Sequence, residues 1–163
     1  MEREKRFLAA HAAGHDRIYR YFRRRTADAA TAEDLCSDVF RIAWERLAGS
    51  GELSVMVLFG VAKNVLRNHE RSASRSANLL GALQAERRDE ALNHDSPVRD
   101  ALDRLSPDDR EVLLLSYWDG FTSKEISDLL NTSATAVRMR LHRARKALSH
   151  IIHAQPPAEG AEL

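Results

Sequence analysis

Residues 122–148 read TSKEISDLL-NTS-ATAVRMRLHRARKAL, and this stretch decides the fold. Thr122 stands three positions ahead of Glu125, the capping-box pattern that opens a helix. The pair Leu129-Leu130 then gives way to three short polar residues, Asn131-Thr132-Ser133, before a second amphipathic run begins. Two helices joined by a three-residue turn have helix-turn-helix spacing. Winding the second run as a helix gathers Val137, Leu141, Ala144 and Leu148 within roughly 60° of one another, as its buried face. Thr135, Met139, His142, Arg143 and Lys146 then point away from that face, with Arg138, Arg140 and Arg145 on its flanks. No acid occurs between Asn131 and Gln155, so Arg138, Arg140, Arg143, Arg145 and Lys146 give this helix +5. A helix of that kind can insert side chains into a major groove and set cations on its phosphates. Spacing alone leaves a helical hairpin with a solvated basic face as the alternative.

Upstream, Ser106-Pro107-Asp108-Asp109 combines a cap, a proline at the first helical position and first-turn acids, which is a helix start. Asp119-Gly120 ends that helix. Residues 98–153 therefore form one helical module. Ahead of it, residues 76–97 are polar and mixed in charge, with a short apolar patch at Leu79, Leu80 and Leu83, and read as a linker carrying a loose helix. Residues 5–75 hold three amphipathic segments. The first, from about Arg6 to Arg25, closes on Arg20, Arg23, Arg24 and Arg25, cations that suit a helix C-terminus. The second begins at Thr31, read as its cap, and stops near Gly49-Ser50-Gly51. The third runs from about Leu53 to Arg71, beyond which Ser72, Ser74 and Ser76 weaken the pattern. The expected architecture is all-α, two small helical domains joined by a flexible linker, with residues 154–163 a disordered tail.

The two N-terminal polar faces carry opposite charge. Between Asp28 and Glu45 five acids stand against Arg41 alone. Asp34, Asp38, Arg41 and Glu45 make one stripe opposite Val39, Phe40, Ala43 and Leu47, and so acidic a face suits solvent or a basic protein partner, not DNA. On the third segment Lys63, Asn64, Arg67 and Arg71 lie opposite Leu58, Val61, Ala62 and Val65. Cations hold phosphates and an amide can read a base edge, though a solvated face fits as well. Phe59 is the nearest candidate for base stacking.

Composition excludes other classes. Gly and Pro together make 11 of 163 residues, well under the roughly 12% of average usage, which argues against a turn-rich β fold. The net charge of +1 argues against a polybasic or acidic tail. A single cysteine, Cys36, permits no intramolecular disulfide and no Cys-rich zinc spacing; it reads as a core filler in a reducing cytoplasm. Met1 to Arg6 is charged with no apolar run behind it, so no secretory leader is expected. Leu53 to Ala62 is too short to span a bilayer, so no membrane insertion is expected. There is no phosphate-cradling glycine loop or nucleophile elbow. His11 with His15, and His150 with His153, lack a third ligand. Neither an enzyme, nor a cofactor, nor a metal site is expected.

Four pieces in order now resemble one family. They are Ala32-Glu33-Asp34-Leu35 through Asp38-Val39-Phe40 to Ala43-Trp44; Gly60-Val61-Ala62-Lys63-Asn64-Val65-Leu66; Leu105-Ser106-Pro107 with Glu111-Val112 and Asp119-Gly120; and Val137-Arg138 to Leu141-His142-Arg143-Ala144-Arg145. Together they resemble bacterial RNA polymerase sigma factors of the extracytoplasmic-function (ECF) class over about residues 5–152. The resemblance implies a promoter-specificity subunit that binds core RNA polymerase and promoter DNA. It assigns Asp34, Asp38, Arg41 and Glu45 to the polymerase. It assigns Lys63, Asn64, Arg67, Asn68 and Arg71, with the loop that follows, to the −10 element and its opening. It assigns Thr135, Arg138, Met139, His142, Arg143 and Lys146 to the −35 element. An anti-sigma factor is a further partner of the kind such proteins have. The chain departs from the family at Met56-Val57, where a tryptophan is usual, and at Ser133-Ala134, where relatives carry proline. The rival readings are a free-standing helix-turn-helix regulator and a decoy that sequesters an anti-sigma factor.

Overall fold

The computed structural model describes residues 1–49, 51, 53–80 and 97–154, and among these there is no strand. The chain divides into two compact units, Met1–Leu92 and Asn93–Leu163. Of the linker expected at 76–97, residues 81–96 lie outside the described residues, as do residues 155–163 of the tail expected at 154–163.

The first unit is built from α1 (Glu2–Arg25), α2 (Ala29–Arg46) and α3 (Val55–Leu80), each packed on the other two. Ile18 and Phe22 of α1, Val39 and Ala43 of α2, and Leu58, Phe59 and Ala62 of α3 make its core. All four residues expected on the apolar side of α2 and all four expected on that of α3 are buried.

Three boundaries differ from the sequence expectation. Helix α1 starts at Glu2, and two of its early arginines find partners on the last turn of α2 and on the residues that follow it. The Arg3 guanidinium lies 3.9 Å from the Trp44 ring centre and donates to the Trp44 carbonyl, while Arg6 donates to the Gly51 carbonyl at 2.8 Å. Helix α2 is capped by Asp28, not by Thr31: the Asp28 carboxylate accepts the Thr31 N–H at 2.7 Å. The same hydrogen bond holds the Asp28 carboxyl below its ordinary range. Asp and Thr are both good caps, and the aspartate comes first with two helix-favouring alanines behind it. Helix α3 continues through Ser72, Ser74 and Ser76 to Leu80, past the end expected near Arg71.

The second unit comprises α4 (Pro97–Asp103), α5 (Pro107–Leu113), α6 (Ser123–Leu130) and α7 (Ala134–Ala154), with α7 packed on the other three. Ser106 caps α5, accepting the Asp109 N–H at 3.3 Å, with Pro107 at the first turn. The helix then widens into a π turn at Leu114–Trp118, a feature the sequence pattern did not announce. The Phe121 N–H closes the end by reaching back to the Leu115 carbonyl at 2.9 Å, across Gly120 at φ +78°. That φ lies in the left-handed region, so glycine is required there.

Two glycines in the first unit sit in helices with opposite surroundings. A Cβ on Gly14 would lie 2.6 Å from a buried Leu58 methyl, whereas one on Gly60 would meet nothing within 4 Å. Gly60→Ala should stabilise the first unit by about 0.5–1 kcal/mol through helix propensity. Gly14→Ala should instead destabilise it by about 1 kcal/mol, since displacing Leu58 outweighs the same gain; urea titration followed by circular dichroism separates the two. For Asp28→Ala, loss of the cap should cost about 1 kcal/mol at pH 7. Because the folded-state pKa is depressed, that difference should persist above pH 3.8 and vanish as pH falls through the folded value.

Candidate nucleic-acid interface

Helix α7 reaches its orientation through the turn before it. The capping box forms in both directions: Glu125 N–H donates to Thr122 Oγ1 at 3.2 Å, and Thr122 N–H donates to Glu125 Oε1 at 3.0 Å. Helix α6 ends on Asn131 in the left-handed conformation (φ 54°, ψ 52°), which asparagine tolerates better than most residues. Ser133 then accepts the Ala136 N–H at 3.1 Å, so the expected cap at the start of α7 forms. Val137, Leu141 and Ala144 go into the core, and Leu148, expected with them, is half-buried.

The opposite side of α7 brings five expected residues together. Thr135, Arg138, Met139, His142 and Arg143 line one open hollow of about 370 Å³. Met139 is 60% exposed in it, and Arg138 is steadied by donating to Thr135 Oγ1 at 3.3 Å. Lys146 is exposed one turn further on, outside the lining set. Arg140 is half-buried, and Arg145 donates to the Tyr117 hydroxyl at 3.0 Å. The cations are thus of two kinds, some aimed outward and some tied to the module.

On α3 the expected polar face is present as two neighbouring rows. Lys63 and Arg67 form one, and Asn64, Asn68 and Arg71 the next; Lys63 is half-buried and the other four are exposed. Phe59 is not available for stacking, a correction to the expectation: it is 1% exposed and meets Tyr21 edge-on with centroids 5.5 Å apart. Its neighbours at positions 58, 61 and 62 are apolar and buried, and Phe59 joins them in the core.

On α2 the polar stripe stands clear of the core. Arg41 bridges it, with nitrogens 3.8 Å from Asp38 and 3.1 Å from Glu45, while Asp34 is exposed one turn earlier. Trp44, at 38% exposure, borders the stripe and had not been marked from sequence, although it stands in the motif quoted above.

Among the described residues no three metal-ligating side chains cluster. The His11 and His15 rings lie 4.6 Å apart, and burial, with the neighbouring His15, pulls the His11 pKa down. Burial pushes the Cys36 thiol up to about 11, far from a reactive thiolate. No helix among the described residues is long and apolar enough to cross a membrane.

Comparison with known proteins meets this geometry at both ends of the chain. The family described as Sigma-70, region 4 matches residues 96–148, the whole of the helix-turn-helix. The chain is 32% identical over 142 residues to the ECF RNA polymerase sigma factor SigL of Mycobacterium tuberculosis, covering 80% of each protein. It is 29% identical over 140 residues to the ECF RNA polymerase sigma factor SigM of Bacillus subtilis, covering 80% of this chain and 85% of that one. Among solved structures it shares its fold with the sigma factor RpoE in complex with the anti-sigma factor NepR from Bartonella quintana. The TM-score there is 0.66 at 19% identity, over 94% of this chain and 98% of that one. It shares it also with CnrH in complex with the cytosolic domain of CnrY, with a TM-score of 0.68 at 22% identity, over 92% and 89% of the two chains. The match to SigL spans four-fifths of both proteins, and on that ground the chain belongs to the ECF RNA polymerase sigma factors, the transcription initiation factors that bring polymerase to its promoters.

Proposed function

We propose that this sigma factor divides its work among three surfaces. The exposed side of α7, through Thr135, Arg138, Met139, His142, Arg143 and Lys146, reads the −35 element as duplex. The polar rows of α3, through Lys63, Asn64, Arg67, Asn68 and Arg71, read the −10 element and assist its opening. The stripe of Asp34, Asp38, Arg41 and Glu45 on α2, with Trp44 beside it, docks on core RNA polymerase. The domain boundaries follow the same division: residues 5–75 serve polymerase and the −10 element, residues 76–97 link, and residues 98–153 serve the −35 element. The protein works in the cytoplasm by binding alone, without covalent chemistry. An anti-sigma protein is a further partner, by likeness to RpoE and CnrH, whose solved structures contain NepR and the cytosolic domain of CnrY.

One observation carries the reading. Helix α7 has no acid along its length, and five residues of its outward side line a single open hollow with two guanidinium groups, an imidazole and a thioether. Guanidinium pairs with guanine edges and with phosphate, and an apolar group beside it suits a thymine methyl. The acidic stripe on α2 supports docking on a protein over a free-standing regulator, because carboxylates in that position repel DNA.

Arg138→Ala should weaken or relax selection at the upstream element by about 1–3 kcal/mol for a lost base contact, leaving polymerase affinity unchanged. Promoter selection from a randomised library, alongside a core-binding titration, reads both quantities; a loss of core affinity instead would reassign α7. Reversing both acids in Asp34→Lys/Asp38→Lys should weaken core binding at least tenfold, since like charges at a docked face cost several kcal/mol. Unchanged affinity by titration would remove this stripe from the polymerase interface.

A further inference from the structure

The arginines that close α1 have no part in the surfaces above. Arg17, Arg20, Arg23, Arg24 and Arg25 fall within nine residues with no acid among them. That is more charge than a helix C-terminus, equivalent to about half an electron charge, calls for. Arg25 is turned back on its own helix, with its guanidinium 3.8 Å from the Tyr21 ring centre and a hydrogen bond to the Tyr21 carbonyl. Arg17, Arg20 and Arg24 recur at spacings of three and four and so share one stripe.

Contacts fix which neighbour that stripe borders. A Cβ on Gly14 would touch Leu58, the Arg17 guanidinium lies 5.3 Å from the Phe59 ring centre, and Tyr21 meets Phe59 edge-on. Positions 14, 17 and 21 of α1 thus lie against positions 58 and 59 near the start of α3. Helix α1 runs antiparallel to α2, with Arg3 on Trp44 and Cys36 on His15, and the short connection after α2 brings α3 back beside α1 in the same direction. On α3, Phe59, Lys63 and Arg67 are four residues apart and form one ridge, which begins under Arg17 and continues in the direction that Arg20 and Arg24 take on α1. Among the described residues, the acids nearest this seam in sequence are Asp16 on α1, Asp28 just past its end and Glu70 on α3. Asp16 pairs with Arg20 at 3.1 Å with both side chains largely exposed, an arrangement held weakly enough to exchange for another anion.

We propose that the seam between α1 and α3 is a track for the sugar–phosphate backbone of the promoter strand whose bases face Asn64 and Asn68. Arg20 and Arg24 hold phosphates there beside Lys63 and Arg67. This rests on the assignment of the α3 rows to promoter DNA. DNA fits the seam because its cations continue directly into a row of amides able to read base edges, whereas an acidic protein surface has no need of that row.

The test uses holoenzyme on a promoter selected from a random library, with binding followed by fluorescence anisotropy from 50 to 200 mM salt. Two lost phosphate contacts in R20Q/R24Q should make the slope of log affinity against log salt shallower by about 1.4–1.8 and weaken binding roughly tenfold. R20K/R24K should restore both, because a point charge suffices for a phosphate, and core affinity measured without DNA should not change. K63Q/R67Q separates the two levels of the reading. If K63Q/R67Q weakens promoter binding with a shallower slope and R20Q/R24Q does neither, the α1 track is overturned and the α3 assignment stands; if neither variant has an effect, both fail. Loss of core affinity in R20Q/R24Q, restored by lysine, would overturn DNA as the occupant in favour of an acidic protein surface. A lower melting temperature not rescued by R20K/R24K would reduce the arginines to a structural role and overturn the track.

Discussion

Burial of Val137, Leu141 and Ala144 fixes the rotation of α7 about its own axis, and every feature of the outward face depends on it. Each of the two larger side chains gains about 1.5–3 kcal/mol on leaving water. Turning α7 to present another face would expose both and would force Arg138 or His142 into the apolar layer above α5 and α6. The five-residue hollow is therefore a consequence of packing on the far side of the helix. Its position relative to the preceding helix is in turn set by the left-handed Asn131 and by two side-chain caps, Thr122 and Ser133, which satisfy backbone N–H groups at the starts of α6 and α7.

The same division of labour governs the first unit. The buried rows of α2 and α3 consume the apolar residues, and what remains outside is strongly polarised: carboxylates with one bridging arginine on α2, cations and amides on α3. A net charge of +1 over the whole chain conceals these opposites and the +5 of α7. On the proposed assignment, surfaces of opposite sign let a protein partner and DNA bind one chain without competing for the same charges.

Much of this was legible in the sequence because it rests on short-range chemistry. Caps at Ser106 and Thr122, the turn at residues 131–133, the glycine at 120 and the inward and outward faces of α7 all depend on residues within one or two turns of each other. What was missed depends on partners far away in sequence. Residues 1–6 looked like a charged lead-in, yet α1 starts at Glu2, and Arg3 and Arg6 reach carbonyls at positions 44 and 51. Phe59 looked available beside a polar row, yet Tyr21 from another helix covers it. The serines after Arg71 weakened the apolar pattern, but serine is only mildly unfavourable in a helix, and α3 continues through them. The choice of Asp28 over Thr31 as cap was ambiguous in kind, since either residue can accept the bond.

The central claim is that this chain directs polymerase to DNA sequence in place of acting on DNA alone. The most direct measurement is run-off transcription by purified core RNA polymerase over a promoter library, with and without the protein. The account predicts transcripts that require both proteins and start downstream of a shared two-part sequence. Binding of the chain alone to duplex DNA, with no promoter-dependent transcript on adding core polymerase, would contradict it.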